Sequence, residues 1–256
     1  MGITAVFLLP IYWMFTAALI PQGVSLAENR AMLALNSYSF ANFGRVWQLL
    51  PMGQYMLNSL RVVVIAVPLT LITSSWAGFG ISQLPRSAQR RWVLLSLMLL
   101  MVPGIALWST RFLVYKQLGW LDSVWALIAP AWMGTSPFYV LMFYRAFRRT
   151  PTAIFEAARL EGATAYQAWR LIAFPIAKPT VVGVGLLSFV FYWGDFISPL
   201  LYMSRESGYT LPVGLQLLQQ MSPSDWPLMM AGAVFATAVP LLIFIGIQPY
   251  LARIGK

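Results

Sequence analysis

No cysteine and no histidine occurs in the 256 residues, and only seven carboxylate side chains are present. These absences exclude disulfides, thiolate or imidazole metal sites, haem ligation of the usual kinds, and any Ser–His or Cys–His nucleophile pair. No GxxxxGK(S/T) loop is present, so the chain does not bind ATP in the P-loop manner. The chain is therefore expected to bind no metal and no cofactor of its own. Charge of either sign is scarce, at 9% of residues, where an ordinary soluble domain carries roughly 25%. Apolar residues take up the difference at 59%, so lipid is the expected solvent for most of the chain. The net charge of +10 does not point to nucleic acid. The basic residues sit in short loops between apolar runs and form no continuous stripe on a soluble scaffold.

A helix crossing the ~30 Å hydrocarbon core needs about twenty mostly apolar residues. Six segments meet or approach that length: Ile3–Ile20, Leu57–Ile81, Trp92–Trp108 (expected to continue past Ser109), Val124–Tyr144, Thr180–Met203 and Pro227–Tyr250. The expected fold is an all-α membrane protein with six transmembrane helices. The first span starts almost at Met1 with neither a charged n-region nor a cleavage site, and is read as a true span and not a signal peptide. Arg86, Arg90, Arg91, Arg145, Arg148, Arg149, Arg159, Arg170, Lys178, Arg253 and Lys256 fall on one face, against Arg30, Arg45, Arg61, Arg111, Lys116 and Arg205 on the other. Short basic loops stay inside, so both termini and the loop after the fourth span are expected in the cytoplasm. Pro10, Pro68, Pro103, Pro130, Pro137, Pro199 and Pro240 interrupt the spans, either as bends in packed helices or as breaks that line a cavity.

The stretch from Glu156 to Pro175, EAARLEGATAYQAWRLIAFP, is too polar to cross lipid. Thr150 followed by Pro151 predicts a helix start, and Gly162 supplies a stop. Thr164 and Gln167 form a T-x-x-Q capping box for a second helix, which is expected to end before Pro175. Ile154, Ala157, Ala158 and Leu160 give the first helix an apolar side, with Glu156 and Arg159 off it. On these residues alone, an amphipathic loop resting on headgroups and a knob inserted into a partner's cleft both remain open.

The order E-A-A, two residues, an acid, G-A, eight residues and I-x-aromatic-P resembles the EAA loop of ABC importer permeases, and its place between the fourth and fifth of six spans is also that family's. Glu161 and Phe174 stand where the family pattern has Asp and Leu. WGDFISPLLYM (193–203), TLPVGLQ (210–216), SPSDWP (222–227), MLNSLRVVV (56–64), LLMVPGIAL (99–107) and LGWLDSVWALIAP (118–130) are similar to carbohydrate-type permeases, specifically the second, maltose-type half. The resemblance thus covers nearly the whole chain. It departs at ARIGK, where members often carry a Gly-rich tail reaching between the ATPase subunits, so that contact is not expected.

The resemblance implies a type I (MetI-like) permease fold in a bacterial plasma (inner) membrane, with a coupling helix in the loop 146–179. It implies a first helix and outer loop at 1–55 and a five-helix core at 56–256. Glu156, Ala157, Ala158, Glu161, Gly162 and Ala163 would dock on an ATP-hydrolysing subunit, where ATP and Mg²⁺ reside. The partners would be a homologous second permease, two copies of the ATPase and an extracytoplasmic solute-binding protein. Gln219, Ser222, Asp225 and Trp226 would touch the binding protein; a solvated loop is the plainer reading. The substrate-path candidates are Asp195, Trp193, Tyr192 and Asn58. Asp195 is the one acid inside a predicted span, about 22 Å along a helix starting at Thr180. It would either accept bonds from a sugar while Trp193 and Tyr192 stack on it, or tie its span to a neighbour through Asn58, Arg61 or a backbone amide. Trp47, Trp108, Trp120, Trp125, Trp132 and Trp226 fall near span ends and read as belt anchors in preference to sugar platforms, and a short helix is expected over Pro212–Gln220.

Three rivals compete. An intramembrane protease needs Ser–His, paired acids or zinc ligands, which this inventory lacks. A secondary transporter needs several buried acids or internal repeats, and none is visible. A scaffold without an ATPase partner leaves the acid–glycine knob unexplained.

Overall fold

We describe residues 2–21 and 38–254 of the chain from a computed structural model. Among them the regular structure is helical, with no strand. Arg30 and Lys256, counted in the charge bias, lie outside the described residues. By internal packing the chain divides into two compact units, Met1–Ser59 with Arg205–Lys256, and Leu60–Ser204.

The first unit holds α1 (Gly2–Ala18), α2 (Ala41–Leu49), the start of α3 (Met52–Gln83), α13 (Leu211–Met221) and α14 (Trp226–Ile254). The last helix packs on the first two, so the ends of the sequence share one core. Asn42 is buried, and its amide donates to the Ala18 and Ile20 carbonyls at 2.9 and 2.7 Å. These are carbonyls that the end of α1 leaves without helical partners. Phe235 on α14 meets Phe43 and Trp47 on α2 edge-on, at 5.6 and 5.7 Å.

The second unit holds the rest of α3, then α4 (Arg86–Leu100), α5 (Trp108–Gln117), α6 (Val124–Trp132), α7 (Pro137–Arg148), α8 (Thr152–Leu160), α9 (Ala165–Gln167), α10 (Phe174–Ile176), α11 (Lys178–Trp193) and α12 (Ile197–Tyr202). Gly78 lets α3 approach α7 closely. A β-carbon there would lie 2.8 Å from Phe143 Cβ and from the Tyr144 amide nitrogen.

Among the described residues, three helical stretches are long and apolar enough to cross a membrane: Met52–Gln83, Val124–Arg148 and Trp226–Tyr250. Two bent pairs also qualify when each is taken together. The third expected span does not run straight past Ser109. It turns by 87° between Arg86–Leu100 and Gly104–Gln117, because Pro103 has no amide to continue α4 and adopts an extended conformation. The fifth expected span, Thr180–Met203, is two helices. α11 ends at Trp193 with Gly194 as its cap, and α12 begins at Ile197.

Pro10, Pro68, Pro130 and Pro240 lie inside helices, whereas Pro137 opens α7. The break between α6 and α7 is built by Gly134 and Thr135, both with positive φ (73° and 61°). That conformation is costly for a β-branched residue. It is held by the Thr135 hydroxyl, which is 2.8 Å from Tyr192 Oη and 2.5 Å from Thr70 Oγ1.

Candidate functional site

The polar stretch after α7 folds as the helix pair α8–α9, with two local differences from expectation. Thr150 does not cap α8: its amide donates back to the Phe147 carbonyl, and Pro151, in extended conformation, precedes the first helical residue, Thr152. The second helix does not end before Pro175. It widens into a π turn over Ala168–Ala173 and continues as α10. Pro175 follows the π turn at the second position of α10, and the 83° bend comes later, between Ile176 and Lys178.

The hinge is as expected. Gly162 has φ +81°, its amide donates to the Arg159 carbonyl, and the Ala163 amide reaches the Ala158 carbonyl at 2.9 Å, the Schellman pairing. The capping box is closed: the Gln167 amide donates to Thr164 Oγ1, and the Thr164 amide to Gln167 Oε1 at 2.8 Å.

What holds this pair is aromatic. Phe155 on α8, with Ala168, Trp169 and Ala173 beyond the hinge, is buried in one cluster with Phe79 of α3, Phe143 and Phe147 of α7, and Val184 of α11; Ala158 on α8 is also buried. Phe79 meets Phe155 at 5.6 Å and Phe147 at 5.8 Å, and Trp76 meets Trp169 edge-on at 5.1 Å. Arg159 Nη2 donates to Gln83 Oε1 at the end of α3, at 2.7 Å. The packed side of α8 is therefore Phe155 and Ala158. Ile154, Ala157 and Leu160, expected on the apolar side together with Ala158, are exposed, Leu160 at 90%.

Among the predicted docking residues, Glu156, Ala157, Glu161 and Gly162 are exposed, Ala163 is half-buried, and Ala158 faces inward. The Phe155 anchor was not among them. Its signal was its spacing of three from Ala158, one turn of a helix.

The other candidates separate. Tyr192 and Trp193 are buried, at 4% and 7% exposure. Trp193 stacks on Phe189 at 5.7 Å, and the Tyr192 hydroxyl belongs to the Thr135 pair. Asp195 stands in the break and not in a helix. Its Oδ1 accepts the Ser198 amide at 3.1 Å, in the first turn of α12. Asn58 lies in the first unit, where its amide donates to the Ser207 and Tyr209 carbonyls at 2.8 and 2.9 Å.

α13 runs Leu211–Met221, one residue beyond the expected helix at each end. Gln219 and Trp226 are exposed, while Ser222 and Asp225 are half-buried. Asp225 pairs with Arg45 at 2.7 Å and also accepts the Leu228 amide in the first turn of α14. Among the described residues no group of three or more acids could hold a metal ion.

The chain is 25% identical over 240 residues to the trehalose transport system permease protein SugB of Mycobacterium tuberculosis, covering 93% of this chain and 86% of that one. It is 30% identical over 209 residues to the sulfoquinovosyl glycerol transport system permease protein SmoH of Agrobacterium fabrum, covering 81% and 72%. Its fold is similar to a chain of a bacterial ABC transporter involved in the import of the acidic polysaccharide alginate. There the TM-score is 0.76 at 20% identity, covering 98% of this chain and 92% of that one. Residues 2–253 match the binding-protein-dependent transport system inner membrane component family, and the chain belongs to that family.

Proposed function

We propose that the chain forms half of the translocation path of an ATP-driven importer for a sugar or related solute. It crosses the membrane six times with both termini cytoplasmic, and it performs no chemistry of its own. Permease relatives named for trehalose and sulfoquinovosyl glycerol support the solute class. The bias of Lys and Arg among the loops supports the orientation. A homologous second permease, two ATPase subunits and a soluble binding protein complete the assembly.

One observation carries the mechanism: α8 is exposed on the side of Glu156 and Leu160, and on its other side it is locked by Phe155 into a core shared with α3, α7 and α11. Close-packed interiors transmit displacement without absorbing it. When the ATPase subunits close, a push on α8 therefore moves three long helices together, and alternating access follows as rigid motion of these rods.

Co-purification tests the reading. Tagged chain extracted from its native membrane is expected to bring down a P-loop ATPase and a second permease. Recovery of the chain alone, fully active in transport without an ATPase, would overturn it. Thermal-shift screening of the associated binding protein then names the solute.

A further inference from the structure

Within the second unit, between α5 and α6, lies an open groove of about 530 Å³ that none of the roles above uses. Tyr115, Trp120, Trp125 and Trp132 form an aromatic rim around it. Val114, Leu118, Pro130 and Met133 supply aliphatic surface, with Met133 almost wholly exposed. One charged side chain lines the groove, Arg111, and no carboxylate pairs with it among the described residues. The opposite side of α5 carries a second groove of about 540 Å³, formed by Ile105, Trp108, Ser109, Phe112, Leu113 and Leu201, with no charge.

α5 belongs to the segment turned 87° from α4. If the 15 residues of α4 run along the bilayer normal, they carry the chain about 22 Å towards the far interface, and α5 then runs close to the membrane plane near the level where Trp and Tyr rings meet the headgroups. Apolar surface on both sides of such a helix faces acyl chains. A lone guanidinium among aromatic rings at that depth meets phosphate, which it binds through a charge-assisted fork.

We propose that this groove holds an anionic phospholipid, with its phosphate on Arg111 and an acyl chain along Val114, Leu118 and Met133. The site rests on the membrane reading of the chain and not on which solute is carried. Charge complementarity favours this occupant over a neutral sugar, which would leave Arg111 without an anion. A basic side chain facing an anionic headgroup is worth about a fivefold change in affinity.

The test uses the assembled transporter. Native mass spectrometry of detergent-purified complex, titrated with phosphatidylglycerol or phosphatidylcholine, is expected to show Arg111→Gln binding phosphatidylglycerol about fivefold more weakly than wild type. Phosphatidylcholine binding should not change. Lys116→Gln, on the same helix but not lining the groove, should bind as wild type does. Equal phosphatidylglycerol binding by wild type and Arg111→Gln would overturn the proposal, as would an equal loss in Lys116→Gln.

A photoactivatable phosphatidylglycerol on the wild-type complex provides a second readout, independent of Arg111→Gln. Crosslinks within residues 110–133 are expected. Their absence, with Trp125→Cys crosslinking to the second permease instead, would assign the groove to that subunit and sink the lipid site. So would protection of the groove by the transported sugar but not by lipid.

Discussion

Single residues set the sharpest corners of this chain. Gly162 holds φ +81° with no atom within 4 Å of where a β-carbon would stand, so the glycine answers to backbone conformation and not to crowding. Gly162→Ala is expected to cost about 1 kcal/mol, seen as faster amide exchange in α8. Gly162→Asn should cost less, because Asn tolerates the left-handed region. Unchanged exchange in Gly162→Ala would show that the hinge relaxes elsewhere.

Asp195 is a different case. Its bond to the Ser198 amide satisfies a helix-start donor three residues on, within the same expected span, and is not the tie to a neighbouring helix that the sequence left open. Asp195→Asn keeps an acceptor and should assemble normally, whereas Asp195→Ala should lose about 1 kcal/mol of local stability. If Asp195→Asn assembles and retains coupled ATP hydrolysis but loses transport, the carboxylate also serves the solute path.

At the scale of elements, the helix pair α8–α9 is short and would be marginal alone. It persists because Phe155 and Trp169 enter the aromatic cluster. Phe155→Ala is expected to cost about 3 kcal/mol. It should loosen α8 without unfolding α3, α7 or α11, giving proteolysis confined to 150–164 and ATP hydrolysis that no longer drives transport. Glu156→Lys reverses charge on the exposed side. It should leave the helices folded and the complex membrane-inserted, while transport falls by more than tenfold as the docking contact meets the wrong sign. Normal transport in Glu156→Lys would remove this acid from the docking surface.

For the whole molecule, orientation is the quantity to measure. Single cysteines are convenient because the chain has none. Cysteines placed at Ala88, Ala153 and Gln167 should react with an impermeant maleimide only from the cytoplasmic side, and cysteines at Gln48 and Gln219 only from the outside. The opposite pattern would invert the topology.

Several things were legible from residues because they depend on local chemistry and solvent. Lack of charge implied helices in lipid, Gly162 and the Thr164–Gln167 box marked a hinged pair, and the EAA order indicated the family that residues 2–253 match. The breaks in the third and fifth expected spans were less legible. Hydropathy sums over a window and does not register the one proline that turns the backbone at Pro103, or the break over residues 194–196 that separates α11 from α12. The sequence by itself determined the helical class, the polar knob and its hinge, since caps and hydropathy act within a few residues. Only the tertiary structure decided that Phe155, rather than Ile154 or Leu160, faces the core, and that α14 joins α1 and α2. Which side of a helix is buried depends on aromatic partners at Phe79, Phe147 and Trp76, some seventy or more residues away or on another helix, and no local pattern encodes that pairing.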